Sequence, residues 1–122
     1  MFDHVSLKVS DYRKSKRFYE KALAPLGYTL QKEYDGETAG FGAKGTISLW
    51  ISAGNPAATS VHVAFASPSR AAVKDFHVAA LEAGGRDNGA PGVREDYSPT
   101  YYAAFAYDPD GNNIEAVCYA KK

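Results

Sequence analysis

The apolar positions of this chain change period several times, and each change marks an element. In "HVSLKVS", residues 4–10, Val5, Leu7 and Val9 alternate with His4, Ser6 and Lys8, which predicts a half-buried strand. Ser10 or Asp11 can cap a helix that follows at once, with Phe18, Tyr19, Ala22 and Leu23 at helical spacing until Pro25 and Gly27 stop it. "YTLQKEY" predicts a short strand, and the glycine-rich "DGETAGFGAKG", residues 35–45, a mobile loop across an open end of the sheet. "TISLWIS" alternates Ile47, Leu49 and Ile51 with Ser48, Trp50 and Ser52, and "SVHVAFA" alternates Val61, Val63 and Phe65 with His62, Ala64 and Ala66. A second helix is expected from about Ser69 to Ala83, with Val73, Phe76, Ala80 and Leu81 on one face and Gly84 and Gly85 at its end. "RDNGAPGVREDYSPT" is expected to be a long polar loop. It leads into "YYAAFAY", a strand that sets Tyr101, Ala103, Phe105 and Tyr107 together, and "DPDG" turns it into a last strand, residues 113–119.

The order repeats. An offset of 58 carries His4 to His62, Val5 to Val63, Phe18 to Phe76, Ala22 to Ala80, Leu23 to Leu81 and Gly27 to Gly85. The expected fold is α+β: two βαβββ modules, about residues 1–55 and 58–120, forming a curved, mostly antiparallel eight-stranded sheet with helices on its outer face. The concave face then receives the less apolar alternates: His4, Ser6 and Lys8; Ser48, Trp50 and Ser52; His62, Ala64 and Ala66; Tyr101, Ala103 and Phe105; Glu115, Val117 and Tyr119.

Composition narrows the classes of partner. At 122 residues and 45% hydrophobic content, one ordinary domain with a real core is expected. Fourteen basic and fourteen acidic residues cancel, which argues against a nucleic-acid or anionic-membrane footprint. Cys118, the single cysteine, falls on the apolar face of the last strand and is expected to be buried and inert, in keeping with a reducing, cytoplasmic setting. The start of the chain has no leader pattern, and no apolar run is long enough to span a membrane.

The one residue that this pattern leaves unexplained is Glu115, a carboxylate in the middle of an apolar strand. Burying it unpaired would cost several kcal/mol, roughly, and strand parity offers two histidines, His4 and His62, on the same face.

The segments "HVSLKVSDYRKSKRFYEKALAPLGY", "HVAF" and "DPDGNNIEAV" resemble the vicinal oxygen chelate superfamily, which includes glyoxalase I, bleomycin-resistance proteins, fosfomycin-resistance thiol transferases and extradiol dioxygenases. The resemblance covers nearly the whole chain and is poor at choosing among activities. It implies paired modules that form a cup around a divalent metal, with His4, His62 and Glu115 at ligand positions, and often a homodimer. A further ligand position of glyoxalase I falls in "TISLWIS", where this chain has Ser48, Trp50 and Ser52 and no carboxylate. Two imidazoles and one carboxylate suit Zn²⁺, Mn²⁺, Fe²⁺, Co²⁺ or Ni²⁺ and leave positions open for a chelating substrate. The alternative for the same residues is a polar wall of histidines hydrogen-bonded to Glu115 with no metal.

Ser48, Trp50, Tyr101 and Phe105 are candidates for a substrate pocket or plain packing. Arg94 and Tyr97 either reach the cup mouth to hold an anionic substrate or sit in a solvated loop. His77 reads as structural, and Lys8 as reaching solvent. The functional expectation is a glyoxalase-like, metal-dependent enzyme whose metal acts as a Lewis acid on a small oxygen-rich substrate. It is not an ordinary lactoylglutathione lyase, because no second carboxylate shares the face; Glu33 precedes the glycine-rich loop, and Asp35 and Glu37 lie at its start. A metal-free small-molecule binding protein and an Fe²⁺ dioxygenase are the competing readings.

Overall fold

The two helices form where the helical spacing places them, and the first takes Asp11, one of its two expected caps. A computed structural model of the chain describes residues 2–58 and 60–121; Thr59, in the connector between the halves, lies outside them. Helix α1 (Tyr12–Leu23) is capped by Asp11, whose carboxylate accepts the Lys14 amide at 3.1 Å, and α2 (Arg70–Glu82) by Ser69, whose hydroxyl accepts the Ala72 amide at 3.1 Å. A short 3-10 turn (Ala24–Leu26) ends α1 at Gly27, which takes a left-handed φ of 89°.

Eight strands surround them: β1 (Val5–Val9), β2 (Thr29–Tyr34), β3 (Thr38–Gly42) and β4 (Leu49–Ala53), then β5 (His62–Ala66), β6 (Arg86–Val93), β7 (Tyr102–Tyr107) and β8 (Asn113–Cys118). Both halves are therefore βαβββ units, and the fold class is the expected one. Hydrogen bonding stops at each module, so the eight strands make two four-stranded sheets, ordered β1-β4-β3-β2 and β5-β8-β7-β6. In each sheet the first and last strands of the module run parallel and the other pairs antiparallel. The reason is connectivity: the helical crossover sets each module's second strand at the far edge of the sheet, and two antiparallel steps then bring the last strand back alongside the first in the same direction.

Two strands depart from the sequence reading. β3 lies inside residues 35–45, read as a mobile loop, and β6 inside residues 86–100, read as a polar loop. Neither alternates, because neighbouring side chains occupy the space where their own would stand. A Cβ on Gly40 would meet the Trp50 ring at 2.8 Å, and one on Gly42 the Thr46 carbonyl oxygen at 2.0 Å.

Each helix covers one face of its own sheet and packs on the other helix. The buried residues form one cluster through both modules, including Phe18, Tyr19, Leu23, Phe41, Ile51, Val73, Phe76, Ile114 and Cys118. The opposite face of each sheet is left open. No helix is long and apolar enough to cross a membrane among the described residues.

The "DPDGNN" turn joins the halves. Asp108 is buried and accepts from the Tyr19 hydroxyl of α1 at 2.5 Å and from the Asn112 amide at 2.8 Å. Burial first, then the Asp108 charge, holds the Tyr19 hydroxyl well above its ordinary pKa, so it stays a donor. Asp110 accepts the Ser10 amide at 3.2 Å at the start of α1. Asn112 accepts the Val61 amide at 3.0 Å, which fixes β5 against β8.

Candidate functional site

That last contact sets the site. In the parallel β5–β8 pair His62 lies opposite Asn113 and Ala64 opposite Glu115, so His62 and Glu115 share the open face one diagonal step apart. Ala64 contributes only a methyl there, and the two polar side chains meet: His62 Nε2 lies 2.7 Å from Glu115 Oε1. The Tyr101 hydroxyl donates to the other carboxylate oxygen. Glu115 is only 1% exposed although it stands on the open face, while the His62 side chain is 53% exposed. Each oxygen of the buried carboxylate thus has a hydrogen-bond contact, and the imidazole carries the face outward to solvent.

Aromatic rings build the surroundings. Phe105 is opposite Glu115 in the β7–β8 register, and its ring lies 6.2 Å from that of His62. Tyr101 meets Tyr97 edge to face at 4.9 Å and Tyr119 at 5.3 Å. Tyr97 and Tyr119 are exposed. Burial, followed by the hydrogen bond to Glu115 and its charge, raises the Tyr101 hydroxyl above its ordinary pKa, so it remains protonated and donating near neutral pH.

The remaining expected residues fall elsewhere. His4 precedes β1, is half exposed, and has its Nδ1 2.7 Å from Asp3 Oδ1. No group of three or more His, Cys, Asp or Glu side chains is placed to hold a metal ion among the described residues, so one chain brings together His62 and Glu115 and leaves His4 apart. Trp50 lies on the open face of the first sheet, over Gly40, and stacks on Tyr34 at 6.1 Å. Ser48 lines a cavity of about 200 Å³ with Tyr28, Gly42, Ala64 and Phe65. Lys8 is exposed, with its ammonium donating to the Ser52 hydroxyl at 3.3 Å. His77 is paired with Asp87 at 2.9 Å between α2 and β6, a structural contact as expected.

The three upstream carboxylates do not supply the face. Glu33 accepts from the Tyr12 hydroxyl at 2.5 Å and the Lys16 ammonium at 3.1 Å, and these two donors, the hydroxyl first, hold its pKa below the ordinary carboxylate value. Asp35 and Glu37 sit at the β2–β3 turn, with Asp35 at a φ of 53°.

Sequence parity placed Tyr101 on the right face as part of a wall and missed its hydroxyl's role as the second hydrogen bond to Glu115. The shared face was legible, because Tyr101 and Glu115 have the same parity on neighbouring strands; the register that sets the small Ala103 between them was not.

A metal fits this pair in part. Both are ligand types that suit such an ion, but their donor atoms stand at hydrogen-bond distance, 2.7 Å, closer than the roughly 3.3–3.6 Å between two ligands on tetrahedral bonds of about 2.0–2.2 Å, so the pair must part to admit it. A third protein ligand within the same chain is not at hand among the described residues.

Comparison with known proteins places the fold. The model of the Glyoxalase/Bleomycin resistance protein/Dioxygenase superfamily matches residues 1–116. Among curated proteins none matches this chain. The crystal structure of a glyoxalase/bleomycin resistance protein from Albidiferax ferrireducens T118 is 30% identical, with 97% of this chain and 98% of that one covered and a TM-score of 0.82. A glyoxalase/bleomycin resistance protein/dioxygenase family enzyme from Burkholderia phytofirmans PsJN is 16% identical over 97% of this chain and 98% of that one, with a TM-score of 0.74. The fosfomycin resistance protein FosX from Mesorhizobium loti is 20% identical over 97% and 91%, with a TM-score of 0.70. The last two likenesses concern the fold alone.

Proposed function

The chain belongs to the Glyoxalase/Bleomycin resistance protein/Dioxygenase superfamily, and on that premise we propose that it is a metal-dependent enzyme acting on a small oxygen-rich substrate at the open face of the second sheet. His62 and Glu115 of one chain would hold the metal, and His4 of a second copy would complete the set. The observation that carries this reading is the pair His62–Glu115 at 2.7 Å on an open face, with a carboxylate otherwise shut off from solvent. A second copy is needed because His4 stands apart from the pair within one chain, while both sheets keep one face open.

A bound divalent ion would supply Lewis-acid polarisation of a substrate oxygen. The chain's own groups do the rest. Tyr101 occupies one oxygen of Glu115 and so directs the other toward His62; Phe105 floors the adjacent space; Trp50 and Tyr34 offer a flat apolar surface on the other open face. Lactoylglutathione lyase chemistry needs a base within hydrogen-bond reach of the transferred proton. The open face of β4 presents Trp50 and Ser52 where a second carboxylate would stand, and Glu33 is engaged toward α1. The protein is therefore expected to show no appreciable turnover of the methylglyoxal–glutathione adduct with Zn²⁺, Ni²⁺, Co²⁺ or Mn²⁺ supplied.

One observation favours a second reading, a metal-free binding protein for a small molecule: both oxygens of Glu115 are already hydrogen-bonded, so the face is satisfied without an ion. Divalent-metal uptake separates the two. Under the enzyme reading Glu115→Gln, which keeps the shape and removes the charge, lowers affinity at least about tenfold, as loss of a charged ligand should. No uptake by either would leave the binding-protein reading, and equal uptake by both would remove Glu115 from the ligand set.

A further inference from the structure

Strand β6, hidden in the sequence, leads into an arginine with no acidic partner. Arg94 follows β6 directly, and its guanidinium folds back across that strand, with Nη2 donating to the Ala90 carbonyl at 2.7 Å. It fits because two residues beneath it lack side chains. A Cβ on Gly89 would lie 3.2 Å from Nη2, and one on Gly92 would lie 3.1 Å from Nη1. Gly89, at a φ of 152°, sits in a break of the β6–β7 register, and its amide donates to Asp87 at 2.9 Å.

The guanidinium is 5.3 Å from the centre of the Phe105 ring. Gly89 is opposite Phe105, and Phe105 opposite Glu115, so one row across the open face carries the carboxylate, the phenyl ring and then the guanidinium. The loop is tied down as well: the Arg94 amide donates to the Tyr101 carbonyl at 2.7 Å, and the Tyr97 amide to the Arg94 carbonyl at 3.0 Å. Tyr101 in turn reaches Glu115. No Asp or Glu pairs with Arg94 among the described residues, although the side chain is half buried. A guanidinium has five N–H donors in a rigid fork, and one of them is used on Ala90. Stacked on a ring and held in place, such a fork is prepared for a carboxylate.

We infer that Arg94 is an anion clamp and that the ligand of this face is a flat carboxylate: its charged group meets Arg94, its body lies on Phe105, and its far end points to His62 and Glu115. The inference rests on the proposed site and deepens it by giving the ligand a charge and a shape.

Benzoate and its neutral isostere benzamide test it, titrated against wild type, Arg94→Gln and Arg94→Lys with the arginine side-chain and backbone amide resonances observed by NMR. Wild type is expected to bind benzoate at least about tenfold more tightly than benzamide, with shifts centred on Arg94 and Phe105; Arg94→Gln loses that preference, and Arg94→Lys recovers part of it. Equal affinity of wild type for the two probes, no benzoate binding, or an Arg94→Gln variant that still prefers benzoate would overturn the clamp. Zn²⁺ uptake is measured on the same preparations and on Glu115→Gln. Benzoate binding that depends on Arg94 without any Zn²⁺ uptake would leave the clamp standing and remove the metal reading. Zn²⁺ uptake that depends on Glu115 with benzoate binding indifferent to Arg94 would do the reverse.

Discussion

Two residues show how chemistry and folding divide the polar groups of the interior. Ser15, in α1 at the position matching Val73 in α2, is fully buried, and its hydroxyl has no hydrogen-bond partner. Such a group costs stability without return, so Ser15→Ala is expected to raise the unfolding free energy by about 1 kcal/mol, read as a higher denaturant midpoint; a lower midpoint would mean the hydroxyl is engaged after all. Glu115 is the opposite case, buried and fully hydrogen-bonded. Tyr101→Phe removes one of its two hydrogen-bond contacts and is expected to destabilise by about 1–3 kcal/mol. The raised Tyr101 pKa also has a sign. The unfolded chain releases the phenolic proton at about pH 10 and the folded chain only above that, so this group's stabilisation is intact below about pH 10 and is lost as pH rises through the folded value. An alkaline tyrosinate absorbance titration should show Tyr12, Tyr19 and Tyr101 ionising late, and Tyr101→Phe should remove one late step. The sequence made Glu115 conspicuous because it breaks an apolar alternation. It could not show that Tyr101 reaches across Ala103 to it, since that depends on side-chain length over a register not yet known.

At the scale of elements, legibility followed the side chains. Strands with alternation, such as β4, β5, β7 and β8, and helices with a repeated apolar face were readable within three residues of their bounds. β3 and β6 were not, because glycines replace the side chains that would have alternated. In β3 the Trp50 ring and the Thr46 carbonyl fill that space; in β6 Phe105 and Arg94 do. A glycine-rich stretch thus meant close approach here rather than mobility. Gly42→Ala tests this: with its Cβ placed 2.0 Å from the Thr46 carbonyl oxygen, backbone must move, and a loss of about 2 kcal/mol or more is expected in chemical denaturation. A neutral outcome would restore the loop reading of this stretch.

For the whole molecule, the offset of 58 holds through the helix of each half: α1 and α2 start at Tyr12 and Arg70, Phe18 and Phe76 are both fully buried, and so are Ala22 and Ala80. It is lost afterwards, since β4 and β8 are separated by 64 residues at their starts, Leu49 and Asn113. The "DPDGNN" turn belongs to this scale, because its Asp108 ties β8 to α1 and its Asn112 ties β8 to β5. One motif therefore joins the halves and brings His62 to Glu115. What the sequence could not supply is the place of His4, because parity gives a face within a sheet and no information on which two sheets face one another. In the proposed site the third ligand comes from a second copy. The most direct test mixes two variants, His4→Ala and Glu115→Gln, after dissociating and reassociating them. Each alone should bind little divalent metal. Mixed in equal amounts, a two-fold pair of unlike copies regains one intact site, so about one quarter of the wild-type metal should return. No return on mixing, with each variant alone still deficient, would contradict a site shared between copies.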